Sequence, residues 1–91
     1  MTFNDLLSIA DSKMCTVSVG GSISGITNKM RYSVNFIWCG SHGDIKSDGL
    51  LISAAGFGDT LDEAAVDYCQ KIRGKTIVFH AHDSLRNEIT I

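Results

Sequence analysis

The stretch MRYSVNFIW, residues 30–38, decides the fold. Met30, Tyr32, Val34, Phe36 and Trp38 fall on one side of a period-two pattern, and Arg31, Ser33 and Asn35 fall on the other. Five large apolar side chains at alternate positions describe a strand with one face on a core and one in water. A small sheet of that kind needs a second layer over its apolar face. The flanking sequence supplies two candidate helices to form it.

The better specified helix is predicted over residues 60–73, inside GFGDTLDEAAVDYCQKIRGK (56–75). Thr60 and Glu63 have the T-x-x-E spacing of a capping box. Asp62 and Glu63 stand at the positive end of the helix dipole, Lys71 and Arg73 at the negative end. Leu61, Ala65, Tyr68 and Ile72 make an apolar stripe with Ala64 and Cys69 beside it, and Gly74 is placed to end the helix in a left-handed turn. A shorter helix is predicted over 2–11, with Thr2 and Asp5 at capping-box spacing and Phe3, Leu6, Leu7 and Ala10 at i, i+3, i+4 and i+7.

Working outward, Cys15, Val17 and Val19 alternate as a first strand, and GGSISG (20–25) reads as a flexible connection. GSHGDIKSDG (40–49) reads as a polar turn region, and LLISAA (50–55) as a third strand buried on both faces. KTIVFHA (75–81) alternates again, Ile77, Phe79 and Ala81 against Val78 and His80, and the tail DSLRNEITI is expected to add a short edge strand. The expected class is α+β: one domain over residues 1–91, in the order α-β-β-β-α-β, with an antiparallel sheet carrying both helices on one face.

Composition bounds the function. A chain of 91 residues with 44% hydrophobic and 20% charged residues is long enough and apolar enough for one core. A formal net charge of −2 gives no basic footprint for a nucleic-acid backbone. No apolar run approaches the ~20 residues of a membrane span, and MTFNDLLSIADSK lacks the pattern of a signal peptide, so a cytoplasmic protein is expected. Three widely spaced cysteines, Cys15, Cys39 and Cys69, fit neither a disulfide framework nor a CxxC metal site, and are expected to be reduced and apolar in role.

Four groups of residues are candidates for chemistry. His80, His82 and Asp83 place two histidines on one strand face, with Cys39 and His42 as further ligands in C-x-x-H spacing; against a metal site stands the sparse ligand spacing, and the expectation is a solvent-facing strand end. WCGSHGD (38–44) gathers a thiol, a hydroxyl, an imidazole and a carboxylate, yet neighbours in a tight turn rarely face one another, so a hairpin tip is expected, not a catalytic centre. GGSISG and GFGDT lack a phosphate loop's Lys-Ser/Thr, and Asp59, Asp62 and Glu63 repel a phosphate at the helix start. Tyr32, Phe36 and Trp38 would stack bases only on an open face, and their alternation fits a core instead.

Two resemblances rest on quoted residues. GDTLDEA (58–64) after a strand resembles the strand-to-helix junction of HicB-type antitoxins, which share the βββαβ order. NDL at 4–6, Lys13, TV at 16–17, Gly21 and VN at 34–35 are similar to the first ~36 residues of small phage-encoded inhibitors of the type II CRISPR effector nuclease. The second resemblance implies a phage-encoded protein in the host cytoplasm that binds and blocks a bacterial protein such as that nuclease. The functional expectation is therefore a non-enzymatic binding protein that needs no cofactor and no metal. The contact is expected at the 20–28 and 40–49 loops, through Asn28, Lys29, His42, Asp44, Lys46 and Asp48. Homodimerisation through an edge strand is a further expected route. A nucleic-acid-binding module and a HicB-like antitoxin are the alternatives, and a small metal-dependent enzyme is the remaining one.

Overall fold

Residues 30–38 form the long strand that their alternation demands. The computed structural model describes residues 2–23 and 30–91, and within it this strand, β2, spans Met30–Trp38. The strand before it, β1, spans Thr16–Ile23 and pairs antiparallel with β2 along its whole length, Thr16 opposite Ile37 and Ile23 opposite Met30. Gly20 and Gly21 therefore belong to a strand; the flexible connection expected at 20–25 does not begin before Ser24, and Ser24 and Gly25 lie outside the described residues. The period-two series Val17, Val19, Gly21, Ile23 carries the strand through the glycines.

The other side of β2 is shared by two short strands. β3 (Ser41–His42) pairs with Ile37 and Trp38, and β6 (Gly56–Gly58) pairs with Tyr32–Val34. Between β3 and β6 the backbone of Phe36 has no strand beside it. Gly43 N–H donates to the Phe36 carbonyl (3.0 Å), and the Tyr68 hydroxyl accepts the Phe36 N–H (3.1 Å).

After Gly43 the chain continues as β4 (Asp44–Ser47), the second strand of another four-stranded sheet. Its order is β5 (Leu50–Ser53), β4, β7 (Thr76–Phe79) and β8 (Asn87–Thr90), all antiparallel. The polar turn region expected at 40–49 is thus mostly strand. What turns in it are two tight hairpins, Cys39-Gly40 and Asp48-Gly49, all four with positive φ, the geometry that matches strand twist.

Helix α1 (Phe3–Ser12) starts at the Thr2–Asp5 capping box, with both reciprocal hydrogen bonds present. Helix α2 (Leu61–Ile72) is capped by Thr60, whose hydroxyl accepts from Glu63 N–H at 3.1 Å. The Glu63 carboxylate reaches Asp59 N–H instead of Thr60, so the box is opened by one residue. Both helices cover the Val34/Phe36 side of the first sheet, and one core joins Leu6, Ala10, Val34, Phe36, Ala64, Tyr68, Ile72, Ile45, Ile77 and Phe79. The class is α+β, with eight strands among the described residues, in two sheets where one was expected.

Three burial expectations are corrected. β5 is a sheet edge, with Leu50 68% and Ile52 49% exposed, where an apolar run buried on both faces was expected. β7 is the strand buried on both faces: Ile77, Val78 and Phe79 are all inaccessible, on a strand flanked by β4 and β8 with Ile77 and Phe79 in the core. Leu7, placed in the α1 stripe by spacing, is exposed, while Leu6 and Ala10 carry the contact.

The glycines before α2 have a packing reason. A Cβ on Gly56 would run into the Ala64 carbonyl oxygen and Tyr68, and one on Gly58 into Glu63 and the Ala64 amide. The G-F-G sequence lets α2 lie directly on β6.

Candidate partner-binding surface

The pairing pattern of β1 fixes which of its backbone groups are free. In an antiparallel pair, alternate residues direct both N–H and C=O to the partner strand. Phe36 directs its own toward Gly43 and Tyr68, away from β1, so its partner Val17 directs its groups away from β2. By the same alternation Val19, Gly21 and Ile23 do likewise, opposite Val34, Tyr32 and Met30. Among the described residues no strand pairs with this side of β1. The result is an eight-residue edge with four outward-facing N–H and C=O sets.

Its side chains leave it equally open. TVSVGGSI contains no charge and no proline, and its pairing with β2 runs without a bulge. On the helix side Val19 and Ile23 are 48% and 66% exposed, with Met30 beside Ile23. On the other side stand Thr16, Ser18, Gly20 and Ser22. On α1, Ile9 faces the α2 groove lined by Val66, Cys69 and Ile91, so Leu7, about 160° round the helix, lies on the opposite flank.

The edges of β6 and β8 are protected, and that of β5 is short. Phe57 N–H, directed away from β2, donates to the Asp67 carboxylate at 2.8 Å, so α2 closes the edge of β6. That hydrogen bond, and then Lys71 at 2.9 Å, hold the Asp67 carboxyl below its ordinary value. β8 carries Glu88, paired with Lys46 at 3.6 Å and Arg86 at 3.3 Å. β5 has only four residues. Short strands, charges and side-chain covers are the usual means of closing an edge.

The outer face of the first sheet is polar and uncovered by either helix. His42 Nδ1 and Asn35 Nδ2 are 2.7 Å apart. Phe57 is flanked by the Arg31 guanidinium (5.3 Å) and the Lys71 ammonium (5.2 Å), within cation–π range. Shallow hollows of about 430 and 450 Å³ lie on this face, the first lined by Gly20, Ser22, Arg31, Ser33 and Phe57, the second by Asn35, His42, Ser53, Phe57 and Lys71.

The residues singled out from sequence are placed as follows. Asn28 and Lys29 lie outside the described residues. His42, at the end of β3, and Asp44 and Lys46, on β4, alternate with the buried Gly43 and Ile45 and so lie on the outer side of the chain there. Asp48 stands apart, at the tip of the β4–β5 hairpin with φ +51. The edge residues Val17, Val19, Gly21 and Ile23 were hidden by reading Gly20-Gly21 as a loop; the alternation running through them was the available signal.

The histidine cluster does not form a strand chelate. β7 ends at Phe79, and His80 turns away with φ +50. Its Nδ1 meets Asp83 at 2.9 Å and its Nε2 meets the Cys39 carbonyl at 2.9 Å, while Ser41 Oγ accepts the His80 N–H at 3.1 Å. Two acceptors on one ring favour the imidazolium; Asp83 first, and then the Cys39 carbonyl, raise the His80 pKa above its ordinary value. With both nitrogens engaged, the ring is a latch between two turns and has no free nitrogen to activate Ser41 or Cys39. Among the described residues no three His, Cys, Asp or Glu side chains converge as a metal cluster.

All three cysteines are free, but not alike. Burial raises the Cys15 and Cys69 thiols, whereas Cys39 sits exposed in a turn with φ +49, contrary to an apolar role. Tyr32, Phe36 and Trp38 face the core, with Phe36 fully buried, so they offer no stacking platform. No helix is long and apolar enough to cross a membrane among the described residues. Comparison with protein-family models, curated proteins and solved structures gives no match.

Proposed function

We propose that this protein acts without catalysis, by taking an extended segment of a partner protein onto the free edge of β1. The observation that carries the reading is the edge itself: eight residues, four outward sets of backbone groups, and none of the devices that close β6, β8 and β5. Strand addition draws affinity from main-chain hydrogen bonds and specificity from alternate side chains. Here the partner would set apolar side chains beside Val19 and Ile23 and small polar ones beside Ser18 and Ser22. The outer row supplies the imidazole of His42 and the charges of Asp44 and Lys46 for a partner that extends across the sheet.

The similarity of the N-terminal third to inhibitors of the type II CRISPR effector nuclease supplies the first target to try. At a net charge of −2, DNA mimicry has little support, and an edge contact is the more economical mode. The test measures binding to that nuclease, and inhibition of its DNA cleavage, for the wild type, Val19→Pro and Val19→Lys. Val19 N–H points outward, so proline there removes no bond to β2. Binding by the wild type and a loss of at least about tenfold in both variants, with melting temperatures nearly unchanged, is the expected result. Equal binding by all three would overturn the edge mode, and no binding by the wild type would remove the nuclease as the target.

A further inference from the structure

The composition of the β1 edge fits one further occupant, a second copy of the same chain. We infer that the free protein forms a weak twofold dimer through antiparallel β1–β1 pairing, and that this dimer competes with partner binding; the competition rests on the edge-addition reading given above.

The register follows from which groups face outward. Val17, Val19, Gly21 and Ile23 carry the free N–H and C=O sets, so these four must be the hydrogen-bonded positions of the new pair. A twofold axis at Gly20 satisfies all of them, with Val17 opposite Ile23 of the second copy and Val19 opposite its Gly21. Ser18 then meets Ser22, and the two Gly20 residues meet on the axis in a close, non-hydrogen-bonded pair, about 4.5 Å between Cα atoms.

Side chains agree with this register on both faces. On the helix side, Ile23, 66% exposed, gains Val17 as a neighbour, and Val19, 48% exposed, is set opposite Gly21, beside the Met30 side chain that lies over that glycine. On the outer side, among the described residues, only serine and glycine meet. The edge carries no charge that would be set against its own copy, whereas like charges directly opposite are destabilising. An isologous contact of this kind closes on itself and stops at two copies.

Size sets the strength. A strand of eight residues is about 26 Å long in a layer about 10 Å thick. The contact is thus roughly 250 Å² per copy, about 500 Å² in all, well short of the ~1,200 Å² of a stable interface. The dimer is therefore weak and exchanges readily, shielding the edge at high concentration and releasing it to a partner strand.

The test combines sedimentation equilibrium with amide exchange on the intact chain from about 1 μM to 1 mM, the span over which a weak dimer of this affinity class assembles. The expected mass rises from 9.8 kDa towards twice that value, and stays at one chain for Val19→Pro and Val19→Lys. Over the same range the amides of Val17, Val19, Gly21 and Ile23 slow by at least about tenfold. Those of Ser18, Gly20 and Ser22, bonded to β2, are protected throughout. A single-chain mass at 1 mM would overturn the inference, as would a dimer whose four outward amides exchange alike at every concentration. A strictly monomeric protein whose target binding still depends on Val19 would refute the dimer alone; a dimer that binds no target would refute the partner reading alone.

Discussion

Removing one oxygen atom, in Tyr68→Phe, tests how α2 is joined to β2. Phe36 N–H is buried in the gap between β3 and β6, where no strand reaches it, and the Tyr68 hydroxyl is its partner at 3.1 Å. The ring also packs edge-on against Phe36, with centroids 5.3 Å apart, and phenylalanine keeps that contact. The substitution therefore isolates the hydrogen bond. A buried donor left without a partner costs roughly 1–3 kcal/mol. In a domain of this size about 2 kcal/mol lowers the melting temperature by roughly 10 °C.

The same hydroxyl gives the prediction a second reading, through pH. Burial, the larger influence, pushes the Tyr68 pKa from 10.0 up to about 12, while the Phe36 N–H works the other way. A folded value above the unfolded one means that the stability is complete below pH 10 and is lost as pH rises through 12. At pH 11 the loss is about 1.4 kcal/mol. Phenylalanine cannot ionise, so the gap between wild type and variant should shrink from about 2 kcal/mol at neutral pH to under about 1 kcal/mol at pH 11. Urea unfolding at both pH values measures it. A gap near zero at pH 7, or one that does not narrow at pH 11, would refute the assigned role of the hydroxyl.

Two other predictions concern the scaffold. Gly56→Ala should cost about 3 kcal/mol or more in urea unfolding, because the added Cβ meets the Ala64 carbonyl and the Tyr68 backbone, neither of which can rotate aside; a cost under about 0.5 kcal/mol would mean that α2 does not lie on β6 as described. An NMR titration should find the His80 pKa above 6.5, with Asp83→Asn bringing it down, since the Asp83 carboxylate is the first cause of the shift. The raised folded value places the stabilising effect below pH 6.5, to be lost as pH rises through the folded pKa; a melting-temperature difference between wild type and Asp83→Asn that grows with pH would contradict it.

What the sequence disclosed depended on whether a pattern had one physical cause or two. β2 and α2 were legible because alternation, caps and charges agreed, and both lie where those signals place them. Gly20-Gly21 had two meanings, loop or strand, and pairing with Ser33 and Tyr32 settles it as strand. LLIS had two as well: a short apolar run suits a buried strand or an unprotected edge, and only the sheet order separates them. Asp48-Gly49 carried a hairpin signal that the surrounding polar residues obscured. Of the candidate site, His42, Asp44 and Lys46 were identified as loop residues but lie at the end of β3 and on β4, alternating with the buried Gly43 and Ile45. The alternation through Val17, Val19, Gly21 and Ile23 could show a strand there, but not that it is an edge, because an edge is defined by its neighbours in the sheet.

That edge is informative because the same chain closes the edges of β6 and β8 and keeps β5 to four residues. Asp67 is spent on the one outward amide of β6, at the expense of a carboxylate held close to Lys71. Glu88 on β8 is tied to both Lys46 and Arg86. The longest edge, with the most outward groups and two exposed aliphatic side chains, has neither a charge nor a proline. A single lysine at Val19 would suffice, and at 48% exposure it would extend into water with little strain on the core. An edge that one lysine would close, and that no strand covers among the described residues, is what the proposed strand addition requires.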